Sequence, residues 1–331
     1  MSIGRSRWGS PTDAVISILE TCDFKCRMCS IRSGPKLDAD VLSRLPRSLT
    51  NVTLTGGEPF LLADLPVYVA RVAARLPGVR IVIVTNGGRP SRIYGVVSAC
   101  HPRPAIRVSI DAIGALHDEI RGVPHAYERA VETLQAVRPL VRDLGISMTV
   151  GDYNVDQIDG VHALAERLGC TFSLQVVHNS SLFYKTVANP SLTRLTEFEA
   201  AVRRVRPNPL THWPPHHAVA RNLYLAFLVD YANGRPRRLF CDAGGTFIYV
   251  GVDGNVYPCL LLDHAHSMGN LRSHSWEAIV EGAAASRERG FVPSCPIQCC
   301  QTCTVAPVLK SNVLRLVPLG IRTVIGNLWQ G

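Results

Sequence analysis

The sequence AVISILETCDFKCRMC, residues 14–29, sets three cysteines directly behind a short apolar run. The run at residues 14–19 has the aliphatic and β-branched composition of a buried strand. Cys22, Cys26 and Cys29 follow it with three and then two residues between them. A closed zinc site would need a fourth Cys or His, which the next residues, SIRSGPK, do not provide. The loop therefore suits an iron–sulfur cluster that leaves one iron without a protein ligand.

Five further apolar runs follow this first predicted strand. They occupy residues 52–55, 79–85, 105–110, 146–150 and 171–177, and segments with helical spacing lie between them at 61–75, 126–141 and 155–168. Strands that alternate with helices predict an α/β fold with a parallel sheet built from βα units. Six units are two short of a closed eightfold barrel, so the pattern fits either a partial barrel or an open sheet.

Composition narrows the class of protein. The chain has 331 residues, 47% of them hydrophobic and 18% charged, which is enough apolar side chain for a substantial core. We find no export signal and no apolar stretch of about 20 residues, so the eleven cysteines indicate metal ligands in a cytoplasmic protein rather than disulfides. The net charge of +9 is scattered and accompanies no nucleic-acid motif, so we expect no nucleic-acid partner.

Polar and glycine residues follow three more of the predicted strands, at the sheet edge where parallel αβ folds gather their chemistry. TGGEP, residues 55–59, offers two glycines that let the backbone approach a ligand closely and a carboxylate, Glu58, that can accept from a cationic amino group. TNGG, residues 85–88, closes the third strand. SIDA, residues 109–112, and LHDEIRG, residues 116–122, follow the fourth strand.

Taken together, these motifs resemble those of the radical SAM superfamily, whose signature is C-x3-C-x2-C after the first barrel strand. Phe24 is the aromatic residue often found inside that loop. The resemblance implies a partial (β/α)6 TIM-like barrel and a [4Fe-4S] cluster held by Cys22, Cys26 and Cys29. It further implies that S-adenosylmethionine (SAM) binds the open iron through its amino and carboxylate groups. Its reductive cleavage would yield a 5′-deoxyadenosyl radical that abstracts a hydrogen atom from the substrate.

The resemblance also assigns the SAM contacts. Gly56, Gly57 and Glu58 correspond to the family's site for the methionyl amine, and Arg121 to a partner of the SAM carboxylate, although a solvated charge at a helix start is the alternative for Arg121. The residues implied to bind SAM are Phe24, Gly56, Gly57, Glu58, Asn86, Ser109, Asp111 and Arg121.

A second set of cysteines accompanies a predicted hairpin near the C-terminus. TFIYVGVDGNVYPCLLL, residues 246–262, predicts two strands joined at Asp253-Gly254, and six cysteines lie in and around it. GNVYPC, residues 254–259, resembles an element of the SPASM/twitch auxiliary-cluster domains, which implies a second [4Fe-4S] cluster. The implied ligands are Cys241, Cys259, Cys300 and Cys303, with Cys295 and Cys299 as alternates. A zinc site is the alternative, because a CxxC pair binds zinc equally well.

The predicted organisation has four parts. Residues 10–205 form the radical SAM barrel, 206–240 a helical bridge, 241–307 the auxiliary cluster domain and 308–331 an apolar and basic tail. The apolar residues of the tail do not form one clean stripe, so packing onto the protein is favoured over contact with an anionic membrane surface.

The expected function is that of a radical SAM oxidoreductase that draws electrons from an external donor such as flavodoxin or ferredoxin. Only about fifteen residues precede the first predicted strand, which leaves no room for an N-terminal peptide-recognition domain. We therefore expect a small-molecule, sugar or lipid-like substrate. The alternative is a maturase that crosslinks or epimerises a ribosomal peptide or forms formylglycine in a protein. A non-catalytic metal-binding protein is less favoured, because it would have no use for the GGEP segment.

Overall fold

Nine strands form one mixed sheet in the described part of the computed structural model, which comprises residues 8–185, 189–207, 215–237, 240–297 and 299–311. The strands are β1 (Asp13–Leu19), β2 (Asn51–Gly56), β3 (Arg80–Thr85), β4 (Ala105–Ser109), β5 (Leu144–Val150), β6 (Thr171–Val176), β7 (Phe247–Val250), β8 (Asn255–Tyr257) and β9 (Gly269–Asn270). Their order across the sheet is β6-β5-β4-β3-β2-β1-β7-β8-β9.

A 3-10 turn at Ala39–Arg44 follows β1, whereas α-helices follow each of β2 to β6 and then lead into the C-terminal part. They are α1 (Leu65–Arg75), α2 (Pro90–Ala99), α3 (Ala115–Arg121), α4 (Ala126–Val137), α5 (Ile158–Arg167), α6 (Leu195–Arg204), α7 (Pro215–Ala232), α8 (Trp276–Glu281), α9 (Ala283–Phe291) and α10 (Thr302–Ser311). Within the described residues, no helix is both long and apolar enough to cross a membrane.

The first six strands are parallel, and each pairs with the next along the chain. All seven residues of β1 are buried, because helices cover one face of the sheet and the other face encloses the interior of the barrel. The prediction of a partial (β/α)6 barrel is confirmed, and all six predicted strands are present.

Two helices have boundaries that differ from those predicted from the spacing of apolar residues. The predicted helix at 61–75 begins four residues later, at Leu65, with a proline in its first turn. Before it, Pro59–Leu61 forms a 3-10 turn that is capped by the Glu58 carboxylate, which accepts from the Phe60 amide. The helix predicted at 126–141 ends at Val137. In both cases apolar residues that continue the helical pattern belong instead to a turn packed on the core.

The predicted hairpin is present as β7 and β8, which pair antiparallel, with Gly254 at φ +85° in the turn. β7 also pairs in parallel with β1, from Asp13 opposite Phe247 to Ile16 opposite Val250. The C-terminal hairpin therefore extends the barrel sheet. Of the predicted tail, residues 312–331 lie outside the described part of the structure.

Candidate functional site

The three cysteines of the β1 loop line one cavity of about 420 Å³. The cavity runs through the barrel from this loop to Asp13 and Asn51, the first residues of β1 and β2. All three cysteine side chains are half-buried, and the Cys29 amide donates to the Cys26 carbonyl at 3.1 Å. The spacing in the sequence thus becomes a short loop that presents three thiols at one mouth of the cavity.

This cysteine loop is held by the end of α3. The Lys25 amide donates to the Arg121 carbonyl at 3.1 Å, and the Arg27 amide donates to the Ile120 carbonyl at 2.9 Å. Gly122 ends α3 at φ +66°, where a Cβ would lie 2.4 Å from the Lys25 carbonyl oxygen, so only glycine fits. Met28 is buried in a small apolar cluster against which Cys26 and Cys29 also pack. The loop conformation is therefore fixed by both hydrogen bonds and packing.

The two glycines of TGGEP line the cavity. Glycine is required at both positions because the backbone leading into the cysteine loop packs against them. A Cβ on Gly56 would lie 2.2 Å from the Leu19 carbonyl oxygen, and one on Gly57 would lie 2.1 Å from that of Thr21. The Gly57 amide donates to the Leu19 carbonyl at 2.5 Å. Glycine at both positions therefore allows the two loops to approach each other closely, and the predicted approach of this backbone to a ligand stays a prediction.

Glu58 is buried beneath these glycines, with 1% of its surface exposed. Its carboxylate accepts from the Phe60 amide at 3.0 Å, from the Thr85 hydroxyl at 2.8 Å and from the Asn86 amide at 2.7 Å. Burial raises the pKa of Glu58 to about 7, although the three hydrogen bonds oppose that shift. Glu58 follows the cavity-lining Gly57 but does not itself line the cavity, and its raised pKa means that its charge changes near neutral pH.

Asn86 and Ser109 also line the cavity at the ends of β3 and β4. The Asn86 side-chain amide donates to Asp23 at 3.0 Å, which ties the β3 loop to the cysteine loop. Phe24 is placed differently: its ring is buried against Gly88, where a Cβ would lie 2.5 Å from the ring edge. The structure therefore gives Phe24 a packing contact that holds the two loops together.

Asp111 and Arg121 form a buried ion pair, with 2.8 Å between Asp111 Oδ2 and Arg121 Nη2. The Asp111 side chain is fully buried, and its Oδ1 accepts from the Thr149 amide at 2.9 Å. Arg121 lines the cavity with 11% of its side chain exposed. Arg121 is thus a partly accessible cation within the site, and the alternative of a solvated surface charge does not describe it.

Among the other residues that line the cavity are four polar ones for which we predicted no role. Gln175, His178 and Tyr184 come from the end of β6 and the loop after it, and Gln301 comes from the C-terminal cysteine run. Gln175 Nε2 lies 3.4 Å from the Tyr184 hydroxyl oxygen, and the rings of His178 and Tyr184 are 4.9 Å apart. Their place after a barrel strand is a signal that sequence analysis could have used, but nothing in their spacing singles them out.

The thiols of the β1 loop fit an iron–sulfur cluster. Burial raises the pKa of Cys22 to about 12 and also raises that of Cys29, so a cation is needed to stabilise the thiolates. Among the described residues, no three Cys, His, Asp or Glu side chains converge tightly enough to bind one metal ion. A cubane needs no such convergence, since each thiolate binds a different iron.

The C-terminal cysteines gather around the β7–β8 hairpin. Cys259 and Cys299 are buried in one apolar cluster, and Cys241 and Cys295 pack against it. Cys300 lies in the main core instead, with 3% of its surface exposed. The side chain of Cys303, at the start of α10, is outside the described part of the structure.

Arg237 is a cation beside this cysteine set. Arg237 Nη1 lies 3.6 Å from Cys299 Sγ and also interacts electrostatically with Cys241, Cys259 and Cys300. A guanidinium among thiols fits a cluster whose thiolate ligands carry negative charge.

Sequence profiles identify both parts of the chain. Residues 16–165 match the radical SAM superfamily, and residues 241–304 match the iron–sulfur cluster-binding domain termed SPASM. The first match covers β1–β5 with their loops, and the second covers the β7–β9 region with the C-terminal cysteines. Residues 16–165 therefore form a radical SAM domain, and residues 241–304 form a C-terminal SPASM module. The predicted cofactors, [4Fe-4S] clusters and SAM, are those of this class.

Two relatives show how far the similarity extends. The antilisterial bacteriocin subtilosin biosynthesis protein AlbA of Bacillus subtilis (strain 168) is 21% identical over 294 residues, which cover 83% of this chain and 61% of AlbA. A GTP 3′,8-cyclase of Stenotrophomonas maltophilia (strain R551-3) is 35% identical over 111 residues, which cover 30% of this chain and 33% of the cyclase. The chain thus spans less than two thirds of either relative.

Solved structures share the fold. Streptococcus suis SuiB bound to precursor peptide SuiA superposes with a TM-score of 0.62 at 16% identity, covering 86% of this chain and 67% of SuiB. Native anSMEcpe with bound AdoMet and Cp18Cys peptide superposes with a TM-score of 0.58 at 13% identity, covering 94% of this chain and 99% of anSMEcpe. At these identities the likeness concerns the fold.

Proposed function

We propose that this chain is a radical SAM maturase that modifies a ribosomally made peptide or protein. The observation that carries the proposal is the central cavity, which joins the cysteine loop of the barrel to Leu260 and Gln301 of the SPASM module. A substrate in this cavity would lie between the two cysteine sets. Its reacting atom would then be close both to the radical source and to a site that could accept an electron.

Cys22, Cys26 and Cys29 would hold the radical SAM cluster in this proposal. When bound, this [4Fe-4S] cluster and SAM together supply the 5′-deoxyadenosyl radical that removes a hydrogen atom from the substrate. Gly56 and Gly57 would present backbone groups to the methionyl amine.

The remaining contacts would fix the orientation of SAM. Glu58 would balance the charge of the SAM amine from beneath the glycines. Arg121 would bind the SAM carboxylate, because it is the predicted cation that reaches the cavity from the end of α3. Asn86, Ser109 and the buried pair partner Asp111 would complete the SAM pocket, and Phe24 would act on it through packing.

The auxiliary cluster would be held by Cys241 and Cys259 together with two cysteines of the closing run. The C-x2-C pair Cys300 and Cys303 stays the predicted choice, with Cys295 and Cys299 as alternates. Arg237 would offset the negative charge of the bound cluster.

A peptide substrate is better supported than the small molecule that we expected. AlbA, a bacteriocin biosynthesis protein, is matched over 83% of this chain, whereas the GTP 3′,8-cyclase is matched over 30%. The shorter match is what a shared barrel alone would produce. The SuiB and anSMEcpe structures contain peptides, and both cover more than four fifths of this chain. The external electron donor and the cytoplasmic location stay predictions.

Two assays test the proposal in sequence. Anaerobically reconstituted protein with dithionite and SAM should form 5′-deoxyadenosine, and the Cys22→Ala/Cys26→Ala/Cys29→Ala variant should not. Co-expression with each short open reading frame beside the gene should then alter one peptide. A crosslink appears as the loss of two hydrogen atoms, and an epimerisation appears as deuterium uptake from D2O.

The outcomes separate the alternatives. Absence of 5′-deoxyadenosine from the wild-type protein would exclude radical SAM chemistry. Formation of 5′-deoxyadenosine without change in any neighbouring peptide, together with consumption of a small metabolite from cell extract, would restore the small-molecule substrate.

A further inference from the structure

Three polar side chains meet on the cavity wall near the carboxyl ends of β5 and β6. Thr149 of β5 pairs with Gln175 of β6 in the parallel ladder, so their side chains lie on the same face of the sheet, and both line the central cavity. Tyr184, from the loop after β6, lines the cavity beside them. None of the three is among the predicted SAM contacts.

Gln175 joins the three side chains into one cluster. Its Nε2 donates to the hydroxyl oxygen of Thr149 at 3.2 Å and to that of Tyr184 at 3.4 Å, so both of its N–H groups have acceptors. Burial raises the pKa of Tyr184, and a hydrogen bond with Thr149 opposes that shift, so the two hydroxyls also bond to each other. Tyr184 therefore carries its proton at physiological pH.

The cluster leaves one acceptor and one donor unused. Gln175 is half-buried, and its Oε1 makes no hydrogen bond with any residue that the structure describes, yet it is not one of the fully buried polar atoms. A ligand in the cavity can therefore reach this oxygen. The two hydroxyls carry one proton each, and the bond between them uses only one. The opposite orientation of the Gln175 amide would leave an N–H and a hydroxyl oxygen, which are again one donor and one acceptor.

The cluster lies close to both the predicted SAM contacts and the cysteine loop. The Thr149 amide donates to Asp111 Oδ1 at 2.9 Å, and Asp111 pairs with Arg121. The Tyr184 carbonyl accepts at 3.0 Å from the amide of Ser30, the residue after the third cysteine of the loop. A group bound to the cluster would therefore lie near the proposed source of the radical.

We propose that Gln175, Thr149 and Tyr184 bind an amide N–H and an amide C=O that the peptide substrate presents side by side. The Gln175 oxygen accepts from the N–H, and the remaining hydroxyl proton is donated to the C=O oxygen. In an extended peptide, the N–H and C=O of one residue point to the same side, as they do in a β-ladder. The carboxamide of an Asn or Gln side chain carries the same two groups. This subsite deepens the proposed function and rests on it.

The test compares two small probes on SAM-bound reconstituted protein. N-acetylglycine N′-methylamide presents the N–H and C=O of one residue, and N-methyl-2-acetoxyacetamide replaces that N–H with an ester oxygen. Saturation-transfer NMR measures both dissociation constants, and a crystal soak locates the amide probe. Wild type should bind the amide about tenfold more tightly than the ester, because the ester leaves Gln175 Oε1 without a donor.

Gln175→Leu should weaken binding of the amide probe about tenfold and bind amide and ester equally, because it removes the acceptor that distinguishes them. A merely structural role of Gln175 would weaken both probes and keep the preference for the amide. Gln157→Leu is the matched control, because Gln157 is half-buried and does not line the cavity, and it should keep the wild-type preference. The probe comparison on wild type and the soaked crystal need no variant, so they decide if Gln175→Leu does not fold.

In the soaked crystal, the glycine N–H of the probe should lie within hydrogen-bonding distance of Gln175 Oε1. Equal affinity of wild type for amide and ester, a probe seated elsewhere in the cavity, an atom of SAM bound to Gln175 Oε1, or binding at crystal concentration only would overturn the proposal. Propionamide distinguishes the two sources of the amide groups: tighter binding than the glycine probe would assign the subsite to an Asn or Gln side chain. Formation of 5′-deoxyadenosine and modification of the co-expressed peptide are assayed separately on wild type, so a failure of the proposed function is distinguishable from a failure of this subsite.

Discussion

The guanidinium of Arg121 lies 3.7 Å from the thiol of Cys26, measured from Nη1 to Sγ. Its other terminal nitrogen binds Asp111, so one buried cation contacts both a predicted cluster ligand and a carboxylate at the end of β4. Arg121 therefore links the cysteine loop to the barrel wall. Removing it would affect the stability of the protein as well as the binding of SAM.

Arg121→Met should lower the free energy of unfolding by about 3–5 kcal/mol, because it leaves the fully buried Asp111 without its cation. The double variant Asp111→Asn/Arg121→Met should recover much of this loss in urea denaturation. SAM affinity, measured by equilibrium dialysis on reconstituted protein, should stay low in both variants. A double variant as unstable as the single one would show that the ion pair is not the origin of the effect.

SAM binding should depend on pH through Glu58. The folded-state pKa of this carboxyl is about 7, raised by burial from its usual value of 4.5, and the ionised form is the one that balances an ammonium group. The ionised fraction rises roughly tenfold between pH 6 and 8, so the dissociation constant of SAM should fall by about tenfold over that range. Glu58→Gln should bind SAM about 10–100-fold more weakly and lose this dependence. An unchanged pH profile in Glu58→Gln would assign the titration to another group.

The same raised pKa affects the stability of the SAM-free protein. Ionisation is disfavoured in the folded state, so the contribution of Glu58 to stability is fully present below about pH 4.5 and is lost as pH rises through 7. A cationic ligand at this site would restore it. SAM should therefore raise the melting temperature more at pH 8 than at pH 6.

Two glycine-to-alanine substitutions, one in the tight contact between the loops and one in open space, test whether that contact requires glycine. Gly57→Ala sets a Cβ 2.1 Å from the Thr21 carbonyl oxygen, and we expect it to lower the free energy of unfolding by more than about 2 kcal/mol and to reduce iron incorporation. Gly95→Ala, in α2 with no atom within 4 Å of the new Cβ, should stabilise by about 0.5–1 kcal/mol. Thermal denaturation with iron analysis measures both. Equal behaviour of the two variants would contradict the close contact of the two loops.

Iron content should identify the auxiliary ligands. Wild-type protein should bind about eight irons and the Cys259→Ser variant about four, with 5′-deoxyadenosine formation retained, because the predicted ligands of the radical SAM cluster are Cys22, Cys26 and Cys29. We expect Cys300→Ser to behave like Cys259→Ser and Cys299→Ser to keep both clusters. The reverse result would move the ligand to Cys299, which packs with Cys259 in the structure. Zinc in place of the second set of irons would refute the auxiliary cluster.

Residues at the end of the barrel where the strands begin should affect the stability of the protein but not its affinity for SAM. Asp143 accepts from Arg80 Nη2 at 2.6 Å and from Arg107 Nη2 at 2.6 Å, where β3, β4 and β5 begin. Asp143→Asn should lower the free energy of unfolding by about 1–3 kcal/mol without changing SAM affinity. Glu199→Gln, which removes an exposed helical pair with Arg203, should change it by less than about 0.5 kcal/mol. A weakened SAM affinity in Asp143→Asn would show that the barrel floor is coupled to the site.

The barrel strands were predictable because each is a local apolar run that ends in turn residues. The pairing of β1 with β7 was not predictable, since it joins residues far apart in the sequence, such as Asp13 and Phe247, and no local pattern records such a contact. The cysteine loop was predictable because its three thiols have few other chemical uses.

For other parts of the site, the sequence predicts the kind of contact that a residue makes but not the residue that it contacts. The glycines of TGGEP predict that another group lies close to their backbone, but only the three-dimensional structure shows that the backbone of Leu19 and Thr21 lies there. No pattern in the sequence predicts the contact between His178 and Gln301. They form a contact because the end of β6 meets the C-terminal cysteine run, and that meeting is a property of the whole fold.

The ladder between β1 and β7 has a consequence for electron transfer. The cysteine loop follows β1, and Cys241 precedes β7, so a continuous set of backbone hydrogen bonds spans the two regions. The separation of two redox centres bound there would be built into the folded chain, with no docking equilibrium between them. Electron passage within this protein would then be a unimolecular event whose rate is independent of any encounter between its two halves.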